Sequence, residues 1–380
     1  MALPARPAER PIRGDAVPID SPRNGQCRAE DQARVGSVAA MRLLHGRRTL
    51  LGALLAVVLV GLAWPGHAGA GPADAAPPLR VIVISDLNES YGSTYYSADV
   101  ARAVARIIGL RPALIINTGD MVAGQRLQPP LARSEIEGMW SAFHQAVTEP
   151  LTRAGLPMAV TPGNHDASSG QRFTLEREIY RQQWQARRPQ FEFVDSRDYP
   201  FSYAFSVGRV LFVSLDATFV GPLSQRERNW LRTVLERHGA RFSHRVVFSH
   251  VPLWPVAIGR ERDYLGDERL EAVLRSGRVD LYLSGHHHAY YPGAKDGVRY
   301  VSQACLGAAP RPLIGTSTAI ARAITVLEIP AEGRISVEAY RAPDYVETVH
   351  RHELPEQVKS RVATLIRDDL APSQPTGKSR

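Results

Sequence analysis

Aspartate, asparagine and histidine recur in this chain as short clusters, each placed where an apolar run stops. "VIVISDLN" delivers Asp86 and Asn88, "LIINTGD" delivers Asp120, and "AVTPGNHD" delivers Asn164 and His165. Further along, "VVFSHVP" delivers His250, and "LYLSGHHH" delivers His286, His287 and His288. Carboxylates, imidazoles and amide oxygens are the donors that hard and borderline divalent cations take. Two carboxylates, two or three imidazoles and one or two amides suit a pair of such ions, and the mixed O/N set favours Mn, Fe, Zn or Mg over a soft thiolate metal. A carboxylate shared between the ions would hold them about 3.5–4 Å apart, the spacing at which a pair can activate a water and neutralise a phosphoryl group. Gly119, Gly163 and Gly285 adjoin three of the clusters, where a backbone without Cβ lets side chains crowd an ion.

Taken singly, most of these residues have a structural reading. A lone histidine after a strand is usually a satisfied structural residue, and His250 gains weight only from its place between the other clusters. His287, the middle of the triplet, is expected to point away from its neighbours as a surface or substrate-side residue. His144, His238, His244, His350 and His352 lie in helical or polar stretches and read as solvated. Asp166 reads as a partner behind the ligands, and Asp216 as a core hydrogen-bonding residue. Tyr91, Tyr95, Tyr96, Tyr290 and Tyr291 follow the site loops and read as covers for loop bases rather than as stacking platforms for a substrate.

Positioning such residues requires strands that end together. "LRVIVISD", "PALIINTGD" and "LPMAVTPGNHD" are continuous apolar runs, the pattern of buried central strands. "SADVARAVARIIGL", residues 131–154 and "SQRERNWLRTVLERHG" carry helical spacing, the last ended by Gly239, and a short helix is predicted around Glu268–Arg275. "FSYAFSVGRVLFVSLDAT" predicts a hairpin turning at Val207-Gly208. "RVVFSHVPLWP", "VDLYLSG", "GVRYVSQA", "AITVLEIP" and "RISVEAYR" are further strands. Interleaved β-α units beside consecutive strands predict an α/β, or mixed α+β, fold with mixed sheets flanked by helices. Donors leaving one edge of such sheets converge on a common crevice.

The ordered set D-x-N, GD, GNHD, H and GHHH resembles the calcineurin-like metallophosphoesterase superfamily, whose pattern is D-x-H, GD, GNH[DE], H and GHxH. The resemblance spans residues 79 to about 341. It implies a four-layer α-β-β-α sandwich of two mixed sheets. It further implies that Asp86 and His288 bind a first metal, that Asp120 bridges, and that Asn164, His250 and His286 hold a second. His165 would be no ligand but the catalytic general acid, protonating the leaving oxygen as a metal-bridging hydroxide attacks phosphorus. The function implied is a metallophosphoesterase, a phosphoric ester hydrolase acting on mono- or diesters.

Two departures matter. Asn88 stands where the family has histidine, and a neutral amide is a weaker donor than imidazole, so Asn88 is expected to coordinate directly or through water, the alternative being that it only shapes the turn. The GD block continues "GDMVAGQ", without the D-R-G extension of serine/threonine protein phosphatases, and GNHD ends in Asp where those enzymes have Glu. Ala123 stands where purple acid phosphatases place a tyrosine, so both subfamilies are disfavoured. The alternatives are a weak or inactive scaffold on the same fold, degenerate at Asn88, a cyclic-nucleotide phosphodiesterase-like activity, and a nuclease.

Composition sets the remaining expectations. With 380 residues, 44% hydrophobic and 22% charged, the chain can bury a substantial core, which excludes a disordered or fibrous protein. Residues 1–70 hold nine Arg against five Asp or Glu, so half of the formal charge of +8 sits there and the remainder does not demand nucleic acid. Residues 1–40 are read as disordered or untranslated. Met41 opens a basic segment followed by an apolar run from Thr49 to Trp64 and by Ala68-Gly69-Ala70, which reads as a signal peptide over 41–70. Arg47-Arg48 gives it a twin-arginine character. A linker (71–78), one catalytic domain (79–365) and a flexible tail (366–380) follow. The protein is expected to be periplasmic or secreted; the alternative is a membrane anchor, for which the apolar run is short. Expected partners are small-molecule, lipid or nucleotide phosphoesters. Cleavage near Ala70 would leave Cys305 as the lone cysteine and no internal disulfide.

Overall fold

The computed structural model describes residues 77–371. The proposed disordered extension and signal peptide, most of the linker, and the tail beyond 371 lie outside the described residues.

Two mixed sheets organise the described chain. The first contains β1 (Leu79–Ile84), β2 (Leu114–Asn117), β3 (Met158–Val160), β11 (Ala323–Ile329) and β12 (Ser336–Arg341), in the order β12-β11-β1-β2-β3. In it β1, β2 and β3 are parallel, with Ile84 beside Asn117 and Asn117 beside Val160, while β11 and β12 pair antiparallel. The second has nine strands. They are β4 (Glu192–Asp198), β5 (Ser202–Val207), β6 (Val210–Ser214), β7 (His244–Phe248), β8 (Leu281–Ser284), β9 (Tyr291–Lys295), β10 (Val298–Ser302), β13 (Gln357–Lys359) and β14 (Thr364–Arg367). Their order is β13-β14-β9-β10-β8-β7-β6-β5-β4, with β10, β8, β7 and β6 mutually parallel.

The central strands are buried on both faces, as their unbroken apolar runs require: Val81 to Ile84, Leu114 to Ile116 and Val246 to Phe248 are all at most 1% exposed. Each such side chain removed from water contributes about 1.5–3 kcal/mol before the entropy of ordering is counted. One continuous apolar core takes in residues of both sheets. The Tyr203 hydroxyl of β5 donates to the Val160 carbonyl of β3, and the Thr161 hydroxyl donates to the Leu215 carbonyl, joining the two sheets beside the site.

Helices α1 (Ala98–Leu110), α2 (Arg133–Phe143), α3 (Glu149–Arg153) and α5 (Thr174–Ala186) form one contacting group. A one-turn α4 (Asn164–Ala167) carries GNHD, and α6 (Gln225–His238) packs with α7 (Glu268–Ser276). Ser224 and Asp267 cap α6 and α7 by accepting from the backbone N–H three residues on. A π-turn at His144–Thr148 joins α2 to α3 within the predicted helical stretch.

Several expectations need correction. Residues 166–200 contain α5 and β4, neither of which the sequence patterning predicts. Leu175, Ile179, Tyr180 and Trp184 have helical spacing, masked in the sequence by the polar residues between them. β4, β9, β13 and β14 were also unforeseen, and β14 carries the ordered chain past 365. Asp368, just beyond it, is buried with Arg299 donating to it at 2.5 Å, so the fold does not stop at 365. No described helix is long and apolar enough to cross a membrane.

Candidate metal centre

β1, β2, β3, β7 and β8 are the strands that end in donor clusters, and backbone hydrogen bonds stitch those ends together. The Leu87 N–H donates to the Asp120 carbonyl at 2.8 Å, the Gly285 N–H to that of His250 at 3.0 Å, and the Gly307 N–H to that of Asp86 at 2.9 Å. The last bond ties a loop following β10 of the large sheet to the β1 loop of the small one. The donors therefore lie on the seam between sheets, where parallel strands deliver side chains to one crevice.

Two adjoining groups result. In one, His288 Nε2 lies 3.3 Å from Asp86 Oδ1. In the other, His250 Nε2 lies 3.3 Å from Asp120 Oδ1 and 3.0 Å from Asn164 Oδ1. The His286 ring centre is 5.1 Å from that of His250, and Asp120, His250 and His286 offer ligand atoms all within 4.8 Å of one another. The His286 N–H donates to both Asp86 oxygens, at 3.1 and 3.2 Å, so the two groups share a wall.

Backbone carbonyls fix the ring orientations. His250 Nδ1 meets the Thr118 carbonyl at 2.8 Å and His288 Nδ1 meets that of Ala309 at 3.2 Å. A carbonyl only accepts, so each Nδ1 must be the donor, which leaves Nε2 as a lone-pair donor toward a cation. The amide of Asn164 is held likewise: its Nδ2 donates to Gln125 Oε1 at 2.9 Å, turning Oδ1 inward. Among the described residues, two buried atoms at the site find no hydrogen-bond partner, Asn88 Oδ1 and His286 Nε2. Orphaned acceptors at this depth are costly in a folded protein, and a coordinated cation at each would satisfy them. The donor set fits two divalent ions.

The backbone is strained to present these groups. Of the nine non-glycine residues with positive φ among the described residues, four are Asp86, Asp120, His286 and His288, and a fifth is Gln125. Such concentration marks a constrained functional site rather than chance. A Cβ on Gly163 would overlap Asp120 N and Oδ1, and one on Gly285 would overlap the Ser85 hydroxyl beside Asp86. Both glycines are required by close approach.

Electrostatics agree with a cation site. Burial alone would raise the Asp120 carboxyl, but His250 and His165 reverse this and hold it well below the usual carboxylate range. Burial pushes His250 down, and Asp120 more than offsets it, raising the imidazole to about 9. Burial, then His250 and His287, keep His286 well below its ordinary value, so it is neutral and available as a ligand. Asp166 accepts from the backbone N–H of Met121, Val122 and Gly163 at 2.7–2.9 Å, holding the GD and GNHD loops in register, in the supporting place expected of it.

His165 differs from the other imidazoles. Its Nδ1 donates to the Gly124 carbonyl at 3.0 Å, and its partly exposed ring leaves Nε2 3.9 Å from Asp120 Oδ2, at the rim of the site. Tyr91, 57% exposed, lies against it with ring centres 5.3 Å apart. That contact with a site ring was not foreseen. Tyr290 and Tyr291 are fully buried, and the Tyr96 hydroxyl donates to the Met121 carbonyl, as loop covers should.

Three histidine expectations fail. His287 is 0% exposed: Nε2 donates to the Asp263 carbonyl at 2.7 Å and Nδ1 accepts from the Val256 N–H, so it pins the 251–266 loop. The left-handed turns at His286 and His288 send the middle ring inward against that loop rather than to solvent. His144 packs flat on Trp140, and His244 meets the Pro330 carbonyl; both are buried, not solvated. Asp216 is bound by Arg177, a structural pair as expected.

These strand-end clusters on this pair of sheets define a phosphoesterase class. The chain belongs to the calcineurin-like phosphoesterase family, whose profile matches residues 79–290. It is 27% identical over 235 residues to the serine/threonine-protein phosphatase CPPED1 of Bos taurus, covering 57% of this chain and 64% of that protein. It is 25% identical over 243 residues to purple acid phosphatase 15 of Arabidopsis thaliana, covering 56% and 40%. Each match spans less than two thirds of the relative. Both names come from the classes disfavoured by Ala123 and Asp166, so those motif departures do not preclude kinship. A dimetal phosphatase from Danio rerio has the same fold, with a TM-score of 0.51 at 18% identity over 72% of this chain and 98% of that one. A purple acid phosphatase from yellow lupin gives 0.50 at 16% identity, over 69% and 51%.

Proposed function

We propose that this chain is a metal-dependent phosphoric ester hydrolase holding two divalent ions, with Asp86, His288 and Asn88 at the first, Asn164, His250 and His286 at the second, and Asp120 between. The observation that carries this reading is the gathering of Asp120, His250 and His286 within 4.8 Å, next to the Asp86–His288 pair. When bound, the ions would supply Lewis-acid stabilisation of phosphoryl charge and lower the pKa of a coordinated water.

The chain's own residues do the rest. Asp86 and Asp120 supply fixed negative charge, Asp86 held by the Ser85 hydroxyl at 2.6 Å and Asp120 by the His165 N–H at 2.9 Å. The Nδ1–H bonds of His250 and His288 keep both rings from rotating, so little reorganisation is needed on binding. His165, anchored through Nδ1, would deliver a proton from Nε2 to the departing alkoxide as the ester bond breaks. Export to the periplasm or outside the cell, read from the 41–70 segment, is part of this proposal.

The test is hydrolysis of aryl phosphate mono- and diesters with added Mn, Fe, Zn or Mg. His165→Ala is expected to lower kcat by about 10²–10⁴-fold with metal content unchanged. Full activity in that variant would remove His165 from the chemistry, and no hydrolysis by the metal-loaded wild type would favour the scaffold.

A further inference from the structure

Arg311 is an unpaired charge directly behind the candidate metal centre. Its N–H donates to the His288 carbonyl at 3.1 Å, which fixes it to a candidate ligand. Its side chain is half-buried, Nε is buried without a partner, and the guanidinium forms no hydrogen bond or ion pair with any described residue. Arg260 stands close enough for its charge to act on Arg311, as does that of Asp263. Arg260 Nη1 donates to Asp263 Oδ2 at 2.6 Å, and that same oxygen lies 3.9 Å from His286 Nε2. Two guanidinium groups are thus left with a single carboxylate at the rim of the site. Holding an unpaired cation half out of water costs free energy that a well-packed apolar residue would not.

Beside them opens a cavity of about 1000 Å³, between the 259–264 loop and the turn joining β13 to β14. Arg311 stands behind the 259–264 wall, its Nη1 3.5 Å from where a Cβ on Gly259 would sit. Arg262, Lys359 and Arg361 line the cavity, exposed and without ion pairs to any described residue, against only Glu261 and Asp263. The volume suits a small organic molecule, and the planar guanidinium fork suits phosphate or carboxylate oxygens.

We infer that this annex binds a second anionic group, so that the favoured substrate is a phosphoester carrying another phosphate or carboxylate on the same molecule. The inference rests on the hydrolase reading for the first phosphate; Arg262, Lys359 and Arg361, which line the cavity, recognise the second, with Arg311 behind Gly259 adding positive charge.

The experiment is equilibrium titration of the full, Mn-loaded chain with non-hydrolysable phosphonate analogues of a sugar bisphosphate, a nucleoside bisphosphate and the matching monophosphates. At least one bisphosphate analogue is expected to bind about tenfold or more tighter than its monophosphate partner, the worth of one charge-assisted contact. Which one does so separates sugar from nucleoside ligands. Arg311→Gln is expected to lower that ratio. The exposed double variant Lys359→Ala, Arg361→Ala should lower it further, and serves if Arg311→Gln does not fold. Equal affinity for mono- and bis-analogues, or a parallel loss for both in the variants, overturns the annex. A preserved preference in a chain that turns over no phosphoester would instead sink only the hydrolase reading.

Discussion

Asn88 occupies the position where an imidazole would complete the first group of donors, and its Oδ1 is buried with no partner. A neutral amide is a weak ligand, so the ion beside Asp86 and His288 is expected to be the looser of the two. Asn88→His should tighten that ion without changing the other, visible as a shift in one of two phases of a metal titration. A single unchanged phase would show that position 88 only shapes the turn. The two unpartnered atoms were invisible in the sequence. Residue types alone suggested the ligands, while the anchoring of Asn164 by Gln125 had no signal, since a glutamine after "GDMVAG" is indistinguishable from any surface amide.

At the level of elements, the site depends on loops that touch. Gly163 lies against Asp120, so Gly163→Ala must push the GD and GNHD loops apart. The expected outcome is loss of about 1–3 kcal/mol of stability, the usual cost of overpacking, together with loss of one or both metals, read by calorimetry and metal analysis. Normal metal content in this variant would mean the loops have slack. The strands that end in these loops were legible because their apolar runs are unbroken, as were α1, α6 and α7 through spacing and caps. α5 and β4 were not: charged and amide side chains cover the outward face of α5, and β4 is half-exposed with register breaks against β5. His287 was misread because sequence shows a triplet but not the turn that buries its middle member.

Across the whole molecule, buried ionisable groups outside the metal centre set the pH response. The Glu176 carboxyl, raised by burial to about 7 despite accepting from the Gln125 N–H, prefers its proton in the folded state. Its stabilising contribution is complete below the unfolded value near 4.5 and is lost as pH rises through 7. Glu176→Gln mimics the protonated form, so the variant should be more stable than wild type above pH 7 by about 3 kcal/mol. That gap should close by about pH 4.5, as read by urea unfolding across the range; a pH-independent gap would place the carboxyl in an ordinary environment. The two-sheet architecture followed from the alternation of strands and helices together with the motif order. Strands β9, β13 and β14, at one end of the large sheet, did not, being short and weakly patterned. The proposed function depends on two cations lying where the strand ends meet, and anomalous diffraction from crystals grown with Mn tests this most directly. Two peaks about 3.5–4 Å apart are expected, one against Asp86 and His288, the other against Asn164, His250 and His286, with Asp120 reaching both. A single peak, or none within reach of Asp120, would contradict a two-ion centre.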